Sequence, residues 1–213
     1  NCWVRGHSGL VGFGRVARLR ATGGETVEGR TRFDQLSQQW RAVAQRALVE
    51  DSVNLPGSGL VGFTAISFTD DSETDSVIDI PRFIMGRRHE RVWLTSISPE
   101  GGADDDFTLE AAALTPVTGA SLHDGHISQE QHIRNVSEAV ELMRAPGSQF
   151  KKIVVARDAV VDTEHDIDVR AVLGALNAAY PATWTFNVAG LIGATPELLV
   201  GVQDGVVRSR VLA

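Results

Sequence analysis

Three helical stretches stand far apart among a larger number of short apolar runs. That arrangement constrains the fold of this 213-residue chain more than any other feature. The first helix is expected over residues 31–50. There Phe33, Leu36, Trp40, Val43, Ala44 and Ala47 recur at helical spacing, and Asp34, Gln38, Gln39 and Arg46 supply the wet side. Ser128 and Gln131 form a capping-box pattern ahead of Ile133, Val136, Val140 and Met143, and Ala145-Pro146-Gly147-Ser148 stops that helix. A third helix is expected near 167–180, with Val169, Val172, Leu173, Leu176 and Tyr180 inward and Pro181 at its end. Strands are expected over 8–20, 59–68, 76–84, 90–97, 152–160, 184–188, 197–202 and 206–212, with Asp204-Gly205 as a hairpin turn. The helices interrupt the strands as separate excursions and do not alternate with them. The expected class is therefore α+β with antiparallel or mixed sheets, not a doubly wound fold. No composition shift splits residues 1–213, which read as one domain.

Within this frame one short segment recurs. Gly9-Leu10-Val11-Gly12-Phe13 returns as Gly59-Leu60-Val61-Gly62-Phe63. Glycine inside a strand marks a bend or a close backbone approach. The two copies read either as paired neighbours in one sheet or as coincidence in a Gly- and Val-rich chain. Leu55-Pro56-Gly57-Ser58-Gly59 turns the chain back into strand. Asp70, Asp71, Glu73 and Asp75 lack the spacing of an EF-hand and read as a solvated acidic turn. The polar, Gly- and Asp-rich residues 98–127 read as a loop linking two layers.

Charge and cysteine usage narrow the function classes. Lys and Arg number 20 against 27 Asp and Glu, a formal charge of −7, which argues against general nucleic-acid binding. Cys2 is the one cysteine, so no internal disulfide framework exists. The apolar runs are interrupted within a few residues, and the first residues lack a basic-then-apolar signal pattern. A cytoplasmic protein with neither nucleic-acid nor membrane partners is expected, in an oligomeric state the sequence does not reveal. The first residue is not Met, and Val206 to Ala213 reads as a strand with no turn after it. We expect the functional protein to continue past Ala213.

Two segments carry ionisable residues suited to proton transfer. Lys152 stands at the mouth of the apolar run Ile153-Val154-Val155-Ala156, followed by Arg157, and Lys151 beside it faces the other way by strand alternation. A lysine in an apolar surround loses hydration and becomes a usable base; the alternative is an exposed lysine that discourages edge pairing. Arg157 either forms an internal ion pair or holds a substrate carboxylate. Glu197 follows Thr195-Pro196 at the start of another apolar run, where a carboxyl in a partly dry cleft can stay protonated and donate to a leaving hydroxyl. Gly190 and Gly193 allow tight backbone approach and either expose N–H groups to an anion or merely make a turn. His123 and His126 are not completed to zinc spacing by Cys, Asp or Glu. No phosphate-binding loop, nucleophile elbow or dinucleotide fingerprint is present. Trp3, Trp40, Trp93 and Trp184 are scattered and read as packing residues.

Lys152-Ile153-Val154-Val155-Ala156-Arg157 together with Gly193-Ala194-Thr195-Pro196-Glu197-Leu198-Leu199 resembles the paired motifs of the chorismate-utilising enzymes, and within them those of isochorismate synthases of the menaquinone-pathway type. The likeness extends through most of the chain, including the N-terminal Gly-Leu-Val-Gly strand and the helix ahead of Lys152. The resemblance implies an α+β fold with a large antiparallel β-sandwich flanked by helices and incomplete at its C-terminus. It implies chorismate as the small-molecule substrate. Lys152 would activate water for attack at C2, Glu197 would protonate the departing C4 hydroxyl, and Mg²⁺ would neutralise the ring carboxylate. The Mg²⁺ ligands and the groups that hold chorismate would lie past Ala213, so no metal ligand is assigned within residues 1–213. Relatives that use ammonia carry glutamine at the position of Lys152, and one type carries a catalytic lysine at the position of Ala213. Both residues here favour water addition. A salicylate synthase keeps the same lysine, and an inactive relative acting as a binding module would keep the fold; these are the alternatives.

Overall fold

A computed structural model describes residues 1–22, 31–69, 72–99 and 107–210. Ala213, Asp70, Asp71, the first part of the expected 98–127 loop and the end of the last expected strand lie outside the described residues. In chain order the elements are β1 (Cys2–Arg5), β2 (Ser8–Phe13), β3 (Ala17–Ala21), α1 (Arg32–Arg46), β4 (Phe63–Ala65), β5 (Ser76–Ile80), β6 (Phe83–Arg88) and β7 (Arg91–Ser96). They continue as β8 (Ser121–Asp124), α2 (Gln129–Arg144), β9 (Ala159–Asp162), α3 (Val169–Ala179), β10 (Trp184–Val188), β11 (Leu191–Thr195), β12 (Leu198–Gln203) and β13 (Val206–Arg210). Every strand pair among the described residues is antiparallel, so the expected α+β class with antiparallel sheets is what forms. The chain divides into two compact units, one made of Asn1–Ala112 with Leu173–Ala213 and the other of Ala113–Val172.

In the first unit a six-stranded sheet runs in the order β11-β10-β1-β2-β6-β7, beside a three-stranded sheet β3-β5-β4 and the hairpin β12-β13. The single strand expected over 8–20 is two strands in two sheets. Gly14 takes the left-handed φ of 61° between them, which ends one ladder and redirects the chain to the other. The expected 76–84 strand divides in the same way at Pro81, whose missing N–H cannot serve a ladder. The repeated glycine segments are not paired neighbours. The first lies in β2 between β1 and β6, while the second is irregular until Phe63 enters β4. Their glycines do mark close approach: a Cβ on Gly12 would stand 2.5 Å from Pro81 Cγ, and one on Gly62 would stand 2.9 Å from Trp40 Cζ3.

The first helix is shorter than its pattern suggests. Thr31 caps it, its Oγ1 accepting from the Asp34 N–H at 3.3 Å while Asp34 Oδ2 accepts from the Thr31 N–H at 3.1 Å. Ala47 then turns extended at φ −68°, ψ 128°, which ends the helix ahead of residues 47–50. Leu36 is 2 % exposed against Ala21 and Ile78, with Leu19 and Trp40 packed around it. Phe33, expected on that apolar face, is instead exposed, because Leu36 and Trp40 already fill the contact with β3 and β5.

The second unit contains the β8-β9 hairpin and α2. Ser128 caps α2 as expected, its Oγ accepting from the Gln131 N–H at 3.2 Å. The reciprocal arm of the box does not form, since the Gln131 amide donates to Asn135 Oδ1 at 2.8 Å instead. β8 arises inside what reads as loop, and β9 begins only at Ala159. Residues 152–158, expected as strand, have no ladder partner among the described residues and form no strand.

Candidate functional site

Lys152 lies in the second unit, in the segment leading to β9. A two-residue alternation persists there without a ladder: Ile153, Val155 and Arg157 are half-buried, while Lys152, Val154 and Ala156 are exposed. Lys152 thus shares the open side of the segment, and the apolar surround expected about its amine is not provided by the described residues. Lys151 is exposed as well. Arg157 takes the first of its two expected roles. Its Nη2 stands 3.2 Å from Asp124 Oδ1, with the arginine side chain 19 % exposed.

The next residue repeats the clasp. Asp158 Oδ2 is 2.7 Å from His126 Nδ1, and both of its oxygens accept from the His126 backbone N–H at 3.0 Å. The His126 side-chain bond, followed by the backbone N–H, pulls the Asp158 carboxyl down to about 2. Gly125 makes this possible, because a Cβ there would fall on the Asp158 carboxylate. His123 meets Asp162 at 3.3 Å and Ser121 Oγ at 3.1 Å, both at Nε2. Two partners on one nitrogen do not make a serine–histidine–aspartate relay, which needs both ring nitrogens in series. The two histidines are thus absorbed into the ends of the hairpin. Among the described residues no three His, Cys, Asp or Glu side chains gather to hold a metal ion.

Glu197 lies in the first unit, in the link between β11 and β12. Its backbone N–H donates across Pro196 to Thr195 Oγ1 at 3.1 Å, a side-chain turn that fixes where the exposed residue leaves the sheet. Gly193 is committed to the ladder opposite Phe186, whose Cζ would stand 2.6 Å from a Cβ added there. It gives room to an aromatic ring and offers no anion nest. Gly190, at φ 93°, completes the β10-β11 turn after Ala189 at φ 53°. Lys152 and Glu197 belong to different units, and each is placed within its own.

Two concavities in the first unit were not legible in the sequence. One, of about 750 Å³, is bordered by Leu48, Val49, Leu60 and Ile97, and Thr95 Oγ1 donates to Ser58 O at 2.7 Å on its floor. The other, of about 370 Å³, is bordered by Arg18, Arg20, Asp75 and Val77 together with the β10-β11 turn. Neither is lined by Lys152 or Glu197. The one sequence signal for the second was the pair of arginines two apart on β3, which strand alternation puts on the same face.

The family model described as chorismate binding enzyme matches residues 4–213, a span that contains both motifs. No curated protein and no solved structure matches the chain.

Proposed function

The chain belongs to the chorismate-binding enzyme family, and from that premise we propose that it converts chorismate to isochorismate. The observation that carries this reading is that the family match runs through both Lys152 and Glu197. Family membership supports an enzyme that acts on chorismate; a lysine in the first motif supports water as the nucleophile. In this reading the neutral Lys152 amine takes a proton from water as its oxygen bonds to C2. The ring double bonds shift, the C4–O bond breaks, and Glu197 gives its proton to the departing hydroxyl, which leaves as water. Atoms balance, since one water enters and one leaves, and no electron carrier is needed. Acid and base in matched roles of this kind are worth about 10²- to 10⁴-fold each.

The same reading assigns the six-stranded and three-stranded sheets to one large antiparallel sandwich flanked by helices, and adds dependence on Mg²⁺. The described residues do not fit a metal site, so no step is routed through the ion. Incubation with chorismate and Mg²⁺, with and without a chelator, tests the proposal. Isochorismate should form without ammonia, and Lys152→Ala and Glu197→Gln should each lower kcat by about 10²-fold or more. Undiminished turnover in Lys152→Ala would overturn the assignment. Release of salicylate with pyruvate would identify a salicylate synthase, and no turnover of chorismate at all would leave the inactive binding module.

A further inference from the structure

The 370 Å³ cavity lies wholly within the first unit. One wall is the face of the three-stranded sheet that carries Arg18, Arg20, Val77 and Ala65, and Val188, Ala189 and Leu191 of the β10-β11 turn close it. Its size sits near the low end of small-molecule sites, which suits a ligand of about one ring. Ala65, Ile66, Val77, Val188 and Leu191 give it an apolar body.

Its charged groups pair off but leave N–H groups over. Arg18 donates through Nε and Nη2 to the two oxygens of Asp79, each at 2.6 Å, and Asn1 Nδ2 reaches Asp79 Oδ2 at 3.4 Å. Asp79 is 2 % exposed and fully engaged, so it does not face a ligand. Arg20 keeps a long 3.4 Å contact from Nη1 to Asp75 Oδ2. That leaves Arg18 Nη1 and Arg20 Nε and Nη2 without acceptors among the described residues. Thr74 adds a hydroxyl at the rim. Each guanidinium meets one carboxylate, Arg18 closely with Asp79 and Arg20 loosely with Asp75, and the open N–H groups just named are what remains for a ligand. Arg18 is 24 % exposed and Arg20 58 % exposed, and neighbouring guanidinium groups with open N–H groups of this kind select planar carboxylates. The wall is also set in advance: Ala189 is held at φ 53°, a left-handed conformation that a residue with a Cβ rarely takes, and its N–H donates to Asn1 Oδ1 at 3.2 Å.

We infer that this cavity binds a small carboxylic acid with an apolar, ring-sized body, its carboxylate on Arg20 and Arg18 Nη1 and its body against Val77, Val188 and Leu191. The site stands at the turn end of the β10-β11 hairpin, whereas Glu197 follows the open end. It is independent of the reaction proposed above, and its test uses no turnover.

Benzoate is the probe. Calorimetric titration should show one saturable site, weakened by added salt. Backbone amide NMR signals of Val77, Val188, Ala189 and Leu191 should shift with the same affinity. Benzamide, of the same shape but neutral, and inorganic phosphate, charged but without an apolar body, should each bind at least about tenfold more weakly, the loss of one charge-assisted hydrogen bond or of the buried ring. Arg20→Gln should weaken benzoate by about tenfold or more. Thr74→Val, at an exposed rim position, should give a smaller loss. Absence of saturation, amide shifts confined elsewhere, equal binding of phosphate or benzamide, or wild-type affinity in Arg20→Gln would each overturn the assignment.

Discussion

Asp79 is buried in β5 with both oxygens taken by Arg18 of the neighbouring β3, and the arginine is itself only 24 % exposed. The Arg18 hydrogen bond holds the Asp79 carboxyl below the usual carboxylate range, against the opposing effect of burial. The folded protein therefore binds this proton less readily than the unfolded chain does. The pair's stabilisation is complete well above the unfolded value of about 3.9 and is lost as pH falls through that value towards the lower folded one. Asp79→Asn should destabilise the protein by about 3 kcal/mol at neutral pH, because Arg18 is left half-dry without its anion. The gap between variant and wild type should close as urea melts are taken from pH 7 down to pH 3. A gap that stays constant over that range would mean that the charge on Asp79 is not what matters.

Helical elements were legible because their signals are local. The 3.6-residue pattern and the cap lie within one short window, so α1 and α2 start where the pattern puts them, though α1 stops at Arg46, and Asp204-Gly205 turns β12 into β13 with both residues at positive φ. Cap chemistry was read at Ser128 and missed at Thr31, where the reciprocal box actually closes through an aspartate instead of a glutamate or glutamine. Thr31→Ala should therefore lower stability by about 1 kcal/mol, as seen in thermal melts followed at the far-ultraviolet helix signal. Ser128→Ala, which removes half a box from a helix with no buried residue, should shift the same melt less. Equal shifts would show that the reciprocal bond from Asp34 adds nothing. Strands were less legible, since alternation states which way side chains point but not which partner completes the ladder. Gly14 and Pro81 move the chain between sheets without breaking the apolar pattern by much. The Lys152 segment shows the converse, with alternation present and no partner. The same limit governs the sites. Lys152 and Glu197 were readable because each sits in a contiguous motif. The Arg18, Arg20, Asp75 and Asp79 group was not, because β3 pairs with β5, and Asp75 just ahead of it, across a stretch of sequence that holds α1 and β4.

Burial is distributed unevenly over the molecule, and this sets where it opens. Among the described residues the buried apolar side chains, including Leu36, Phe63, Ile78, Ile84, Trp93 and Val188, all belong to the first unit. Residues 113–172 contain no buried side chain at all. What holds the second unit together is the β8-β9 ladder and polar clasps: Arg157 with Asp124, Asp158 with His126, and Asp168, which accepts from the Thr115 N–H at 3.1 Å while pairing with Arg170. Solvent-screened pairs of this kind contribute far less than a buried aliphatic side chain. Local opening free energies should follow this division. Amides of β1, β2 and β6 should exchange hydrogen only through global unfolding, while those of α2 and β9 exchange by local opening with protection at least about 100-fold lower, roughly 2.7 kcal/mol by the tenfold-per-1.4 rule. The segment that carries Lys152 then samples open conformations long before the sheet that positions Glu197 does. If chorismate draws that segment into order, its addition should raise the protection of residues 152–158 and leave β6 unchanged. Protection of α2 equal to that of β6 in the free protein would refute this gradient, because it would require buried contacts that residues 113–172 do not possess.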